Sequence, residues 1–190
     1  MINFVMNEKG DVFDSARAIA DETDDHALLE MHLDSLTYNH LQNVVITEDF
    51  IRYRNDLVSK FPDYGRTLDQ RLVSGDALII EYILPKVDKE VHEATHMGHD
   101  IILHGKKIDI KVVRGNWFTV SNGKDHWYNR CIHGGDLEYF AFFSYTKDHS
   151  IPFVAGGRTS LRFIKLVPAA NVMYNLRRSR YNGYYYDLRS

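Results

Sequence analysis

Residues 98–113 read GHDIILHGKKIDIKVV. Two apolar runs flank a short polar segment with a glycine at its centre, which predicts a β-hairpin with strands over residues 100–103 and 107–113. A buried strand normally carries apolar side chains toward the core, yet this hairpin contains three charges at fixed spacing. They are Asp100, Asp109 and Lys111. Charges in such a position need a compensating partner.

The alternation of side chains along a strand brings the three charges together. Successive side chains point to opposite faces, so Asp109 and Lys111 share one face. A turn at His104-Gly105 places Asp100 opposite Asp109. A turn at Gly105-Lys106 places it opposite Lys111, and only a three-residue loop would move Asp100 to the other face. Directly opposed Cβ atoms are about 4.5–5.5 Å apart, so two carboxylates there favour a bound divalent cation.

The hairpin resembles the core of the PD-(D/E)xK nuclease superfamily, which has the restriction-endonuclease-like fold. Its members carry an aspartate at the start of one strand and (Asp/Glu)-x-Lys on the next, although His99 stands where many members have proline. The resemblance covers about residues 65–176. It implies an α/β fold with a restriction-endonuclease-like core, a central mixed β-sheet flanked by helices and an N-terminal helical extension. It also implies a Mg²⁺-dependent deoxyribonuclease, with an endonuclease as the expected type and Mn²⁺ as a substitute metal.

The resemblance assigns roles to individual residues. Lys111 is the expected electrostatic donor to the reacting phosphate. Many members carry a further acidic residue on the preceding helix, and Asp76 follows a glycine at that place on the apolar stripe of the predicted helix. Glu81 is the alternative, about 140° further around the helix, and only one of the two is expected to act as a catalytic and metal-binding carboxylate. The other expected metal ligands are the side chains of Asp100 and Asp109 and the backbone carbonyl of Ile110.

The charge distribution separates the first quarter of the chain from the rest. Residues 1–50 hold 11 acidic and 2 basic side chains, whereas residues 51–190 hold 15 acidic and 21 basic ones. A polyanion such as DNA would be repelled by the first part and attracted by the second. In the tail, tyrosines are interleaved with arginines, and these rings either stack on bases or pack on the body. The expected nucleic-acid contacts are Lys106, Lys107, Arg114, Arg177, Arg178 and Arg180.

The 190 residues are expected to form one compact domain in three parts. These are an acidic helical region over residues 1–62, the nuclease-like core over residues 63–176 and an Arg/Tyr-rich tail over residues 177–190. Cys131 is the single cysteine and the first residues do not resemble a signal peptide, so a cytoplasmic location is expected. DNA is the expected partner, a homodimer is left open, and no membrane partner is expected because no apolar window reaches the length of a span.

Hydrophobic periodicity and turn residues predict the remaining elements. Thr47 is the expected N-cap of the second helix, and Pro85 is expected to mark the end of the third. Helices are predicted over residues 13–32, with residues 33–42 as a continuation or a separate helix, and over residues 47–61, 66–87 and 168–176. Further strands are predicted over residues 117–121, 137–146 and 160–169, of which the aromatic second one is expected to be central.

The sequence HEATH at residues 92–96 suggests a different enzyme. On a helix, His92 and His96 would share a face and bind zinc, with Glu93 as the general base of a peptidase. The surrounding segment is short and polar, and no third ligand follows at the usual spacing, so a polar loop before the hairpin is favoured. A non-catalytic nucleic-acid-binding module of the same fold is the other alternative, and the complete set of charged hairpin residues argues against it.

Overall fold

The computed structural model describes residues 15–60, 76–94, 99–120, 131, 137–146, 154–179 and 183–189. Helices occupy the first part of this structure and strands most of the rest, in the order that the sequence predicts. The helices are α1 (Ser15–His40), α2 (Glu48–Lys60), α3 (Asp76–Val87) and α4 (Ala169–Tyr174). The strands are β1 (Val44–Val45), β2 (Val91–Glu93), β3 (Ile101–Leu103), β4 (Lys106–Val112), β5 (Trp117–Val120), β6 (Tyr139–Tyr145), β7 (Arg158–Thr159), β8 (Leu161–Pro168), β9 (Arg177–Arg178) and β10 (Tyr184–Asp187).

The central sheet has five strands in the order β2-β3-β4-β6-β8. The first three strands pair antiparallel, β4 and β6 pair parallel, and β8 lies antiparallel beside β6. The parallel pairing of β4 with β6 requires a crossover connection between these strands, and β5 lies within this connection. The sheet is therefore mixed and helices flank it, which confirms the predicted α/β class. β6 lies between two strands with its first six residues buried, so the aromatic strand is interior as predicted.

One face of the central sheet packs against α1 and α3. Ile108 and Ile110 of β4 and Phe143 of β6 are buried on this side. Leu33 of α1 and Leu84 of α3, both completely buried, complete the same apolar cluster. We call this side of the sheet the helix face.

The opposite face of the central sheet packs against α4 and a second, three-stranded sheet with the order β5-β10-β9. Phe118 of β5 and Tyr186 of β10 point inward from this small sheet. Their ring centroids lie 5.5 and 6.2 Å from that of Phe142 in β6. We call this side the small-sheet face, and it is the side on which strand alternation places Asp109 and Lys111.

The helix boundaries follow the sequence signals closely. α1 runs without a break, so the predicted continuation beyond residue 32 is confirmed. The hydroxyl oxygen of Thr47 accepts a hydrogen bond from the backbone N–H three residues later at 3.2 Å, which confirms its role as an N-cap. Pro85 lies inside the last turn of α3, which ends two residues later at Val87. The first half of that predicted helix, residues 66–75, lies outside the described residues.

Four strands differ from the sequence-based expectation. β5 pairs with β10 in the small sheet instead of extending the central one. β9 and β10 form in a tail that lacks an apolar period, because Tyr186 is buried in the core while the neighbouring Tyr185 is only partly covered. β2 forms in the segment predicted to be a polar loop. Strands of two or three residues are too short to show a period of two.

The hairpin turn between β3 and β4 has two residues, His104 and Gly105. Their φ angles are 49° and 76°, and Leu103 pairs with Lys106. Positive φ at both central positions is typical of a type I′ turn, whose twist matches that of the flanking strands. The first of the two predicted registers is therefore confirmed.

A chain of side-chain hydrogen bonds ties this turn to two other elements. Nε2 of His104 lies 2.9 Å from Nδ1 of His32 in α1, and Nε2 of His32 lies 2.7 Å from Oδ2 of Asp88, just after α3. The backbone N–H of Glu90 donates to the other oxygen of Asp88 at 2.8 Å. This bond and the His32 ring lower the pKa of Asp88. The turn is thus fixed to the helical layer as well as to its own strands.

Candidate active site

Asp109 and Lys111 form a close ion pair on the small-sheet face. Asp109 is 4 % exposed, and the Lys111 side chain is 16 % exposed. Nζ of Lys111 donates to Oδ1 of Asp109 and also lies 3.4 Å from the backbone carbonyl oxygen of Ile110. A carboxylate oxygen and a carbonyl oxygen therefore face the same cationic nitrogen.

Asp100 is positioned by a local break in the hairpin ladder. Regular pairing ends at Ile101 with Ile108, and the N–H of Asp100 donates to the carbonyl of the same Ile108 at 2.9 Å. Two residues thus lie opposite one, as in a β-bulge. The prediction that Asp100 lies directly opposite Asp109 in this register is wrong for that reason. Instead, Oδ2 of Asp100 accepts a hydrogen bond from the N–H of Ile110 at 2.6 Å. This N–H belongs to the peptide group that joins Asp109 to Ile110.

The charges of the hairpin are compensated within the chain. A buried carboxylate without a partner costs several kcal/mol, but Asp109 has the ammonium of Lys111 and Asp100 has the N–H of Ile110. The ring of Phe140 lies 6.0 Å from Nζ of Lys111, close enough for a cation–π contribution. These contacts explain how charged side chains are tolerated among the apolar residues of the sheet.

The oxygen atoms of this arrangement suit a hard divalent cation. Mg²⁺ usually takes one or two protein carboxylates and completes its shell with water and substrate phosphate. Asp100, Asp109 and the carbonyl of Ile110 supply oxygen atoms at one short segment of β4. The oxygens of Asp109 and Ile110 already face one cation, the ammonium of Lys111. Among the described residues, no group of three or more His, Cys, Asp or Glu side chains is arranged to hold a metal. A metal at this place would therefore depend on two carboxylates and a carbonyl.

The predicted helical carboxylates lie on α3, which packs against the helix face through Ile80 and Leu84. Asp76 is the first residue of α3, and its side chain lies outside the described part of the chain. Glu81 is half-buried in the same helix. Because Asp109 belongs to the other face of the sheet, a carboxylate of α3 would have to reach it around the end of β4. The metal-binding role of either residue stays a prediction.

Two of the predicted nucleic-acid contacts are engaged at the amino end of β4. Nζ of Lys106 lies 3.2 Å from Oε1 of Glu138, and the backbone N–H of Lys107 donates to Oε2 of the same carboxylate at 3.0 Å. The hydrogen bond and charge of Glu138 raise the pKa of Lys106. The positive charge of Lys106 is therefore already compensated within the chain.

The predicted arginine contacts lie elsewhere. Arg114 is exposed just past the carboxyl end of β4, and Arg177 and Arg178 are exposed on β9. Arg180 lies outside the described residues. Of these arginines, Arg114 is the one that lies at the end of β4, the strand that carries Asp109.

Sequence reasoning missed Ser144 and Arg162, which lie on the same face. Nε of Arg162 donates to the Ser144 hydroxyl oxygen at 2.8 Å, and the two residues are partners in the pairing of β6 with β8. Together with Arg114 they line a groove beyond the end of β4. Neither residue belongs to a local motif, so the pairing of the strands was needed to find them.

The first two residues of the HEATH motif lie on a strand. His92 and Glu93 belong to β2, and both are exposed, whereas His96 lies outside the described residues. A zinc peptidase of this type needs both histidines on one face of a helix. The local backbone at His92 and Glu93 does not provide that geometry.

No family model, no curated protein and no solved structure matches this chain. Within the residues that the structure describes, no helix combines the length and the apolar character needed to cross a bilayer.

Proposed function

We propose that this protein is a metal-dependent nuclease that hydrolyses phosphodiester bonds of DNA as an endonuclease, with a restriction-endonuclease-like core. One observation carries the proposal. The Asp109 carboxylate and the Ile110 carbonyl face one cationic nitrogen, that of Lys111, while the Asp100 carboxylate lies against the same segment of β4. These are the residue types and positions that the PD-(D/E)xK resemblance assigns to metal binding and catalysis.

Each of these side chains has a distinct task in the proposed reaction. Mg²⁺ or Mn²⁺ held by Asp100, Asp109 and the Ile110 carbonyl would polarise a phosphoryl oxygen and favour ionisation of a bound water. The ammonium of Lys111 stabilises negative charge that develops on the phosphoryl group. Asp109 orients Lys111 through their ion pair, and the N–H of Ile110 holds Asp100 in place. Asp76, or Glu81 in its stead, is the proposed additional carboxylate.

The test is incubation of the purified chain with supercoiled, linear and single-stranded DNA in Mg²⁺, in Mn²⁺ and in EDTA. Nicked circles in the metal-containing samples are the expected product, since an endonuclease cuts closed DNA. Asp109→Asn removes the negative charge but keeps the shape of the side chain, and it is expected to lower the cleavage rate by at least about 100-fold, the usual effect of losing one strong electrostatic group.

Glu93→Gln is the matched control for this experiment. Glu93 is exposed on β2, so its loss should leave DNA cleavage unchanged, although it would abolish a peptidase that used the HEATH motif. Equal cleavage by the wild type and Asp109→Asn would show that the site is assigned to the wrong residues. Thermal melting of both variants confirms that they fold.

A non-catalytic DNA-binding module is the second candidate, and one observation favours it. The hairpin charges are already compensated by Lys111 and by the N–H of Ile110, so the fold does not require a metal. Binding of DNA in EDTA together with intact DNA in Mg²⁺ and in Mn²⁺ would identify this second function.

A further inference from the structure

A groove of about 430 Å³ lies at the carboxyl ends of β4 and β6. This volume is within the range of small-ligand sites. The two strands are parallel neighbours, and in open α/β sheets ligands bind outside the carboxyl ends of parallel strands. The chain after β4, the end of β6 and the first half of β8 form its walls. They contribute Arg114 and Asn116, Ser144 and Tyr145, and Arg162 and Phe163, respectively.

The groove concentrates positive charge. Arg114 and Arg162 both line it, and none of its described lining residues is acidic. In the part of the chain that the structure describes, neither arginine forms an ion pair with a carboxylate. The hydrogen bond to Ser144 uses one of the five guanidinium N–H groups of Arg162 and holds the side chain at the groove. Two uncompensated guanidinium groups at one concavity favour an anion, and their fork geometry suits phosphate.

The groove is close to the candidate active site and on the same side of the sheet. Val113 lines it and belongs to the apolar cluster of the small-sheet face, two residues beyond Lys111. Two residues of a strand span about 6.6 Å. Phosphates of one strand follow one another at about 3.4 Å along the axis of duplex DNA, so this separation corresponds to one or two nucleotides.

We propose that the groove binds a backbone phosphate of the DNA strand, one or two nucleotides from the phosphate that lies at Asp109 and Lys111. Arg162 and Arg114 contact the phosphate, and Ser144 orients Arg162. The half-buried side chain of Ile164, which packs against the apolar cluster of the small-sheet face, offers apolar surface to the adjoining sugar. This site rests on the proposed nuclease function for its location, but it acts in binding and needs no metal.

The test is fluorescence anisotropy of the full chain with an end-labelled DNA duplex in EDTA, repeated over a series of NaCl concentrations. Arg162→Ala and Arg114→Ala are each expected to weaken binding about tenfold, the effect of one charge-assisted hydrogen bond. Each should also lower the slope of log K against log salt by about 0.9, the value for one lost phosphate contact. Arg52→Ala is the matched control, because Arg52 is exposed on α2 and paired with Asp49.

The outcomes separate this site from the proposed chemistry. If wild-type protein cuts DNA but both groove variants bind and cut as well as Arg52→Ala, the groove inference is wrong and the nuclease stands. If wild-type protein never cuts DNA in Mg²⁺ or Mn²⁺ but the groove variants lose affinity and salt slope, the nuclease proposal fails and the phosphate site stands. Arg162→Lys keeps the charge and should recover part of the affinity, which separates loss of phosphate binding from loss of folding. Tight competition by a free mononucleotide, at concentrations where inorganic phosphate has no effect, would overturn the assignment to a backbone phosphate.

Discussion

The two faces of β4 carry different kinds of side chain, apolar on one face and charged on the other. On the helix face, Ile108 and Ile110 are buried in an apolar cluster with side chains of α1 and α3. On the small-sheet face, Asp109 and Lys111 alternate with these isoleucines, and Asp109 is buried while Lys111 is half-buried. Ser144 and Arg162 continue the polar band onto the neighbouring strands.

This difference separates the residues that hold the fold together from those that do not. Replacement of a buried ion pair by apolar side chains of similar size is often neutral or stabilising, so the fold alone does not call for Asp109 and Lys111. Within β4, the buried isoleucines of the helix face stabilise the sheet, and the polar band of the small-sheet face is available for chemistry. Variants on the two faces should accordingly fail in different ways.

The largest expected effect on stability lies on the helix face. Ile110→Ala removes three carbons from a side chain that is 1 % exposed, and it is expected to lower the free energy of unfolding by about 4 kcal/mol. Urea denaturation measures the loss. Thr119→Ala on the exposed side of β5 is the control and should change little. A loss below about 1 kcal/mol for Ile110→Ala would contradict the assignment of this face as the structural one.

A smaller effect is expected from breaking the ion pair. Lys111→Met leaves the buried carboxylate of Asp109 without its cation and should cost about 3 kcal/mol. The double variant Asp109→Asn with Lys111→Met removes both charges and should recover most of that loss, although it should not cut DNA. The same urea titrations give the coupling energy of the pair. A double variant as unstable as the sum of the two single changes would give a coupling energy of zero and would contradict the expected contribution of the ion pair.

The smallest effect is expected at the hairpin turn, which determines the face to which each residue of β4 points. A shift of one residue in register would exchange the two faces completely. Gly105→Ala places a side chain at φ 76°, while its Cβ would meet no atom within 4 Å, so only backbone strain of about 1–2 kcal/mol is expected. Gly183→Ala is the control, because its Cβ would make an ordinary contact at 3.8 Å. Equal melting temperatures for the two variants would contradict the type I′ turn.

The sequence was sufficient to predict the features that depend on local chemistry. Thr47 as an N-cap and the shared face of Asp109 and Lys111 follow from residue type and strand alternation. The hairpin turn was limited to two alternatives, of which the structure has His104-Gly105. Each of these is set by a few neighbouring residues.

Features that depend on distant partners were not predictable in the same way. The bulge at Asp100 arises from its two contacts with β4, and neither turn length nor periodicity indicates it. Trp117 pairs with Asp187, so the placement of β5 depends on a strand seventy residues later in the chain. Ser144 and Arg162 meet only because β6 and β8 pair, and no spacing rule connects them.

The hydrogen-bond chain from His104 through His32 to Asp88 has a direction. An ionised carboxylate can only accept, so Nε2 of His32 carries a hydrogen. With neutral rings, Nδ1 of His32 must then accept and Nε2 of His104 must donate, which fixes one tautomer of each imidazole. The segment that presents Asp109 and Lys111 is thus anchored to α1 by a link that only one tautomer of each neutral ring can form.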